Sequence, residues 1–478
     1  MKITLAIALQ TIRATLRTRM FVALFVSIIL IILGLTFWTT SGGNNLGVDR
    51  SAIETCQTTL TYALGLLLFL TSAATIWTAS IALSREIESY SIHLVVTKPC
   101  PAWKLWTGKW LGVFSIYATI FLIGSACIYG VFMWRVNGEF KGIEKQRLNE
   151  ELLVGRKIHS PIPRNWAKIG LEEYEKRKKE NNLPPAPDPE TAREIIINQL
   201  KTQNIEIPVG QSFVWAFDNV RPAPGAKVLY FRYRTYLNYV DKYQKKSVHL
   251  PWVVFRKAEG TVATGEAPRY EGLLIRWSSA THGFTEFMIP VDWISKDGRV
   301  VIQCTNRPPS PTEEGNEEKV LFQPSDGPFI LSRETSFLGN YSRTMLLALF
   351  LIAFLAALGC TVSAAFGPPV AVFAGCTYLI IGLLLQSLIS SSERGQAGEL
   401  LFSGTKDRVV YHVNVGLSKV FVSVGDLNAS RSLIKGEEVE WRRVGEAALL
   451  LLLLRGGTIA GLGVWILSRR EFAKEARR

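Results

Sequence analysis

Hydrophobic and polar positions along this chain separate into long blocks. Six apolar runs, each about 20 residues or longer, are almost free of charge: 20–39, 58–83, 111–134, 344–366, 369–389 and 444–467. A helix of roughly 20 apolar residues spans a hydrocarbon core of about 30 Å. One such run fits the core of a soluble protein, whereas six predict a polytopic α-helical membrane protein with six transmembrane helices.

A polar block separates the third apolar run from the fourth. Residues 135–210 are charged and helical in pattern, with a proline-rich linker at 183–189. From 211 to 335 the pattern changes to short strands, in which aromatic and β-branched residues alternate or cluster between prolines, glycines and aspartates. The block 135–343 is therefore predicted as an inserted extracytoplasmic domain with a β-sandwich, jelly-roll-like in its connections. A second, shorter outer segment is predicted at 390–443.

The first nineteen residues predict an interfacial helix that precedes the first span. Its apolar face consists of Leu5, Leu9, Ile12 and Leu16, and Arg13 and Arg17 lie on the opposite side. A secretory signal is the competing interpretation. The long basic region and an apolar run of spanning length favour an uncleaved anchor.

Ser84–Trp110 is a short charged stretch between the second and third apolar runs. Its first half has the apolar spacing of an amphipathic helix. Lys98 and Pro99 then break that helix, because proline disfavours helix in the residue before it and removes a donor. A second helix is predicted to begin at Ala102 and to continue into the third span, with tryptophans at interface depth.

The net charge of +14 is concentrated beside the apolar runs. Residues 1–19, the stretch 84–110 and the tail 468–478 are all basic, and all three fall on one side if six spans alternate. The positive-inside rule places them, and both termini, in the cytoplasm. The same distribution argues against nucleic acid as a partner.

Motifs for catalysis or metal binding are missing from the sequence. There is no GxxxxGK[ST], so the chain lacks a phosphate-binding loop for ATP, and the histidines and cysteines have no metal-ligand spacing. No nucleophile–base pair or carboxylate pair is defined by spacing. Cys56 and Cys304 both fall outside the cytoplasm in this topology, which leaves a disulfide between them open.

The order of several short motifs resembles the permeases of type-2 ATP-binding-cassette (ABC) transporters. The matching positions between the second and third spans are Arg85, Glu86, Glu88, Lys98, Pro99, Gly108 and Lys109. The turn FGPPV at 366–370, the LIKGEEVEW motif at 433–441 and SRREF at 468–472 resemble the same family. The resemblance covers roughly half of the chain, and the large domain between spans 3 and 4 departs from the usual short loop.

This resemblance implies a transport subunit that is not an enzyme by itself and binds no cofactor. ATP would be hydrolysed by a separate P-loop ATPase subunit, and a second permease half, identical or not, would complete the path. The seven residues would then couple the ATPase to the membrane helices. The alternative for this stretch is a solvated loop whose lysines bind anionic lipid, at about 1 kcal/mol each.

Two polar residues within apolar runs are candidates for a translocation path. Arg455 lies near the centre of the last run, where an arginine costs about 2.5–3.5 kcal/mol or more on insertion scales. The alternative is an interfacial helix over 444–454 from which Arg455 reaches the head groups. Gln386 is the second candidate, although an interhelical hydrogen bond also explains it.

Aromatic residues of the predicted β domain allow two interpretations. The set Trp215, Tyr230, Tyr233, Tyr236, Tyr239 and Trp252 fits a sugar-stacking platform, but the packed core of a β-sandwich is the favoured use. The sequence thus predicts the permease subunit of an ATP-driven exporter in the bacterial inner membrane. The alternative is a non-transporting membrane anchor that displays a β-sandwich to envelope glycans or to a partner protein.

Overall fold

The computed structural model describes two compact units. The described residues are 2–19, 52–89, 100–163, 165–185, 189–203, 206–223, 225–237, 246–257, 270–295, 297–310, 314–323, 326–392 and 430–470, with single positions within 21–34 and 409–421. The first unit comprises 1–155, 335–389 and 409–478, and the second comprises 156–334 and 390–408. Residues 135–155 and 335–343, assigned to the inserted domain by the sequence pattern, thus belong to the first unit.

The described elements of the first unit are almost all helical. They are α1 (Lys2–Leu16), α2 (Ala52–Ala82), α3 (Ser84–Glu88), α4 (Ala102–Glu139), α5 (Gly142–Glu151), α8 (Phe337–Ala365), α9 (Pro368–Ser392), α10 (Ser430–Ile434), α11 (Trp441–Ala447), a π-helical stretch (Ala448–Gly456) and α12 (Gly457–Arg469). The second unit contributes two helices and the strands, described below.

Four helical segments are long and apolar enough to cross a membrane: Ile53–Glu88, Ala102–Glu139, Phe337–Ala365 and Trp441–Arg469. They contain the second, third, fourth and sixth predicted spans, and they are consistent with a membrane protein. The fifth, 369–389, falls on a shorter apolar helix, Pro368–Leu384. The first, 20–39, lies largely outside the described residues.

Helix α8 forms the centre of the first unit. It packs against α2, α4 and α12, and one continuous apolar core joins them. At Gly359 an added Cβ would lie 2.5 Å from the Cβ of Ala79 on α2, so only glycine permits this approach of the two backbones.

Helix α1 packs along the beginning of α4, where two glycines of α4 allow a close approach. A Cβ on Gly108 would lie 2.8 Å from the Ile7 Cβ, and one on Gly112 would lie 2.7 Å from the Thr11 Cβ. The apolar side chains of Leu5 and Leu9 are exposed on a different side of α1. The helix therefore has three faces: a buried face with Ile7, Ala8 and Thr11 toward α4, an exposed apolar face and a basic face.

The second unit contains eleven strands in three sheets among its described residues. The strands are β1 (Val154–His159), β2 (Glu206–Ile207), β3 (Ser212–Phe217), β4 (Val228–Arg234), β5 (Tyr236–Leu237), β6 (Ser247–Lys257), β7 (Tyr270–Ala280), β8 (Phe284–Pro290), β9 (Val300–Thr305), β10 (Val320–Leu321) and β11 (Phe329–Ser336). Their orders are β1-β11-β4-β8, β2-β10-β5 and β3-β9-β6-β7. All pairings whose register is described are antiparallel.

The two four-stranded sheets share one apolar core. Trp252 and Ile302 of one sheet and Phe231 of the other are fully buried in it. Inward and outward residues alternate along β9, where Val300, Ile302 and Cys304 are buried, as period-2 patterning requires. Two helices, α6 (Trp166–Lys179) and α7 (Pro189–Gln203), pack on each other through Tyr174, Ala192 and Ile196.

Candidate functional site

The stretch predicted to carry function begins with a short helix that the turn residue Leu83 separates from α2. Helix α3 begins at Ser84, directly after α2 and the turn at Leu83. The buried hydroxyl of Ser363, near the end of α8, accepts hydrogen bonds from the backbone N–H groups of Leu83 (2.9 Å) and Ser84 (2.8 Å). The first N–H groups of a helix have no partner within it, so Ser363 caps α3 from another helix.

Two of the predicted coupling residues contact each other. The Lys109 ammonium, on α4, donates to the Glu86 carboxylate on α3. The Lys109 side chain is 5% exposed and that of Glu86 26% exposed, so this ion pair is largely shielded from water. A buried charge of this kind is tolerated only when it is paired. Lys109 therefore ties α3 to α4, as Ser363 ties it to α8.

The remaining predicted residues divide into exposed, packed and undescribed positions. Arg85 and Glu88 are exposed on α3, while Ile87 between them is buried. Gly108 is buried against α1, where its missing Cβ allows the close approach described above. Lys98 and Pro99 lie outside the described residues.

A second polar cluster joins the first turns of α8 to the segment before α11, and the sequence did not predict it. Arg343, 9% exposed, donates to the Glu438 carboxylate (2.6 Å) and the Val439 carbonyl (3.0 Å). Asn340, fully buried, donates to the Glu437 carbonyl and accepts from the Val439 N–H, both at 2.8 Å. The LIKGEEVEW motif thus holds the last long helix against α8.

The two candidates for a translocation path differ in how far they are described. Arg455 is half-buried within the π-helical stretch Ala448–Gly456, in the middle of the helical segment 441–469. This position agrees with neither a fully exposed nor a fully buried side chain. Gln386 lies in α9, and its side chain is outside the described part of the chain.

Three of the six aromatic residues proposed as a sugar platform belong to the β core. Trp252 and Tyr233 are fully buried, and their rings lie 4.7 Å apart. Tyr230 is 9% exposed, and Trp215 packs against Trp252 at 5.7 Å. These contacts favour the core interpretation for Trp215, Tyr233 and Trp252. Tyr230 instead lies on the other face of β4, where the Arg156 guanidinium is 5.6 Å from the centre of its ring. Tyr236 donates its hydroxyl to Asp326 at a partly buried site, and Tyr239 lies outside the described residues.

Charged residues of the second unit form a buried cluster around one carboxylate. Glu286 accepts from Arg156 (2.7 Å) and from Arg232, which are 0% and 8% exposed. Burial alone would raise the pKa of Glu286, but the charges of Arg232 and Arg156 outweigh it and hold that pKa below its ordinary value. Removal from water lowers the pKa of His159, whose Nε2 lies 3.1 Å from the Ser332 hydroxyl.

The cysteines form no disulfide in the described structure. Cys56 and Cys304 are buried free thiols, and burial raises the pKa of Cys304 well above its ordinary value. A thiol that stays protonated in an apolar core is a packing residue rather than a nucleophile. Among the described residues, no group of three or more histidine, cysteine, aspartate or glutamate side chains is placed to hold a metal ion.

An open cleft in the second unit also escaped the sequence analysis. It is lined by His249, Leu250, Pro251, Arg276, Trp277, Ser278, Arg307 and Glu314 and has a volume of about 340 Å³. No local pattern indicates this cleft, because its lining residues come from β6, β7 and the segment after β9. Comparison of the chain with family models, with characterised proteins and with solved structures finds no match.

Proposed function

We propose that this chain is the membrane-spanning permease subunit of an ATP-driven exporter of the ABC type. In this proposal it has six transmembrane helices, with 20–39 as the first and 369–389 as the fifth. Its β unit is a jelly-roll-like sandwich outside the cytoplasm. The location is the bacterial inner membrane, with both termini cytoplasmic.

The observation that carries the proposal is the bracing of α3. This short helix presents Arg85 and Glu88 outward, while the Glu86–Lys109 ion pair and the Ser363 hydroxyl hold it on α4 and α8. A displacement of α3 by a partner bound to its exposed charges would be transmitted to α4 and α8, because the contacts between these helices are contiguous and buried. A solvated lipid-binding loop has no need of such attachment.

ATP hydrolysis belongs to a separate P-loop subunit in this proposal, because the chain has no phosphate-binding loop. The second permease half is expected to complete the translocation path. Arg455, half-buried and central in the last helical segment, and Gln386 are the proposed polar lining of that path. The resemblance of the seven coupling residues to those of ABC permeases supports the assignment of ATP hydrolysis to a separate subunit.

Co-purification of the tagged chain from its native membrane tests the proposal. We expect a P-loop ATPase to co-purify, and the double charge reversal Arg85→Glu with Glu88→Lys to remove it or to abolish stimulated ATP hydrolysis. The matched control is Lys168→Glu with Glu172→Lys, an exposed i,i+4 pair of the second unit. The proposal is wrong if no ATPase co-purifies, or if the α3 reversal behaves as the control does.

The second candidate function is a membrane anchor that displays the β unit. The cleft of about 340 Å³ favours it, since a rigid sheet carrying a polar cleft is suited to binding. An anchor would retain ligand binding at the cleft without any ATPase. The two functions therefore give opposite results in the co-purification experiment.

A further inference from the structure

Strand β7 forms one edge of the sheet β3-β9-β6-β7 within the described part of the chain. Its residues pair with β6 in a continuous register from Tyr270 to Ala280, without a bulge. The opposite edge, β3, is partly covered, because the Ile162 N–H donates to the Ala216 carbonyl at 2.8 Å. β7 has β6 on one side and no described strand on the other, so it is the open edge of this sheet.

The hydrogen bonds of β6 show which backbone groups of β7 point outward. Asn316 accepts from the N–H of His249 (3.0 Å) and donates to its carbonyl (2.8 Å), so neither of these groups bonds β7. His249 lies opposite Ser278, and antiparallel residues alternate between pairs that exchange both hydrogen bonds and pairs whose groups point away. Three positions further, where the alternation reverses, the Thr281 N–H donates to the Lys246 carbonyl at 2.9 Å. The N–H and C=O of Ser278 therefore point away from β6, toward the open edge.

The same alternation directs the backbone groups of Gly272 and Leu274 to the open edge. Within the described residues, no backbone group bonds those of Gly272, Leu274 or Ser278 on this side. Sheet edges are commonly protected by short strands, lysines, prolines or bulges, and β7 has eleven residues and none of the last three. Its one acidic residue, Glu271, is held by Arg256 of β6 at 2.6 Å. Such an edge is a template for a further strand.

Apolar side chains flank the open edge on both faces of the sheet. On the core face, Trp277 lies opposite Leu250 and is 42% exposed, although its ring is 6.3 Å from that of the buried Phe287. On the outer face, Leu274 lies opposite Val253 and is 47% exposed. A further strand beside β7 would cover both side chains while it satisfies the outward backbone groups.

We propose that β7 pairs with β7 of a second copy of this chain, antiparallel about a two-fold axis at Ile275. This register uses the full length of the strand and joins the two four-stranded sheets into one, with both core faces on the same side. It places Trp277 opposite Leu273 of the second copy, and Glu271 opposite Ser279, so no like charges meet.

A second copy suits this edge better than a strand of another protein. A foreign strand would itself become a new open edge, whereas the two-fold pairing closes both β7 edges at once. The inference is independent of the exporter proposal, since a non-transporting anchor can pair in the same way.

Disulfide crosslinking of the full chain in its native membrane tests the inference. The three cysteines that are not buried, Cys100, Cys127 and Cys376, are first replaced by serine. In the proposed register Ile275 faces itself in a pair without hydrogen bonds, where the Cα atoms are about 4.5 Å apart, within the range of a disulfide. We expect Ile275→Cys to give a covalent dimer on mild oxidation.

Leu273→Cys is the matched control, because the two copies of this position lie four residues apart along the strand, about 13 Å, which a disulfide does not span. It should give no dimer by itself. Mixed with a differently tagged chain that carries Trp277→Cys, it should give a heterodimer, because these two positions oppose each other. This mixed pair tests the register without the Ile275 variant.

A proline at an outward position supplies a further test. Ser278→Pro removes an N–H that does not bond β6, and edge strands tolerate proline where the N–H faces away from the sheet, so thermal unfolding should be unchanged. Combined with Ile275→Cys, it should lower the dimer yield about tenfold, the effect of one lost hydrogen bond. Ser278→Thr keeps the N–H and should leave the yield unchanged.

Three results would each overturn the inference: no dimer from Ile275→Cys and no heterodimer from the mixed pair, as much dimer from Leu273→Cys as from Ile275→Cys, or equal yields with Ser278→Pro and Ser278→Thr. Pairing of β7 with a strand of another protein would give the first result. ATPase co-purification should be the same for all these variants, so the exporter proposal stands or falls separately.

Discussion

Two long apolar helical segments, α8 and the segment 441–469, differ most in how much of them the rest of the chain covers. In α8, 72% of the most apolar eighteen residues are buried within the chain, against 22% in 441–469. Both satisfy the length and composition of a membrane span. The difference shows that hydropathy identifies a span but does not distinguish a helix packed by its own chain from one that faces other surroundings.

The contacts explain this difference. α8 buries residues on all sides, including polar ones, because α2, α4, α12 and the 437–439 segment surround it. The last segment has a row of leucines that the chain leaves exposed: Leu449, Leu450, Leu453 and Leu454. A lipid phase or an apolar helix of another chain suits such a surface, since neither penalises apolar side chains. Four sets of variants test how far this contrast holds.

The largest effect is expected at the buried charge of α8. Arg343→Met would leave Glu438, which is 12% exposed, without this partner and should destabilise the chain by about 3–5 kcal/mol. Thermal unfolding in detergent, followed by intrinsic tryptophan fluorescence, measures the loss. Arg442→Met is the control from the last segment, because its side chain is 83% exposed and surface changes stay within about 0.5 kcal/mol. Similar losses in the two variants would remove the contrast.

A matched leucine pair tests the same contrast without charge. Leu355→Ala on α8, where the side chain is 1% exposed, should cost about 2–5 kcal/mol through the cavity it leaves. Leu453→Ala, where exposure is 72%, should leave the stability of the isolated chain nearly unchanged. If Leu453→Ala is as damaging as Leu355→Ala, the exposed row is covered by a partner under the conditions of the measurement.

The helix boundaries show what the sequence could and could not predict. Hydropathy places the start of the fourth span at 344, but α8 begins at Phe337, where the Ser336 hydroxyl accepts from the Gly339 N–H. The first two turns contain Asn340 and Arg343, which a hydropathy window excludes. They are helical and buried because polar groups nearly a hundred residues away satisfy them. Local pattern contains no information about such distant partners.

The strands of the β unit could be predicted where their own sequence alternates, and not where a strand depends on its neighbours in the sheet. β8 (284–290) lies within the region 211–335 that was predicted to form strands, because its alternation follows from one buried face. β1 was not predicted, because it lies in the block 135–210 whose pattern is charged and helical. β1 has glycine, arginine, lysine and histidine among its six residues, and it becomes a strand by pairing in the sheet rather than by its own propensity.

The candidate site was predicted in composition but not in geometry. The motif contained both Glu86 and Lys109, yet their pairing across 23 positions depends on how α3 and α4 pack together, which no local pattern specifies. Ser363 gave no signal at all, since it lies 280 positions from Leu83 and a single serine in an apolar run has no distinctive pattern. The cleft residues likewise come together only through the register of β6 and β7.

A smaller loss of stability is expected at Gly359, where the backbones of α2 and α8 approach each other closely. Gly359→Val places a side chain against Ala79 and the backbone of α2, and overpacking of this kind costs about 1–3 kcal/mol. The control is Gly461→Val on α12, where an added Cβ meets no atom within 4 Å. Unfolding in detergent should separate the two variants, and an unaffected Gly359→Val would mean that α2 and α8 can move apart at little cost.

The smallest expected effect concerns the cap that α8 supplies to α3. Ser363→Ala leaves the N–H groups of Leu83 and Ser84 without this acceptor, which should cost about 0.5–2 kcal/mol, the range of a lost helix cap. The loss should be local, so hydrogen exchange of the peptide over 83–89 is a better measurement than global unfolding. Exchange there should accelerate, while that of α8 itself should not.

Ser342→Ala is the control on the same helix, because its hydroxyl bonds the Gly339 carbonyl at an exposed position and touches no part of α3. Two results together would show that α8 takes part in coupling through α3. Exchange over 83–89 would be faster in Ser363→Ala but not in Ser342→Ala, and Ser363→Ala would stimulate a co-purified ATPase less. Unchanged exchange would mean that the Glu86–Lys109 pair holds α3 without α8. In that case the contrast between α8 and the last segment concerns stability and has no part in coupling.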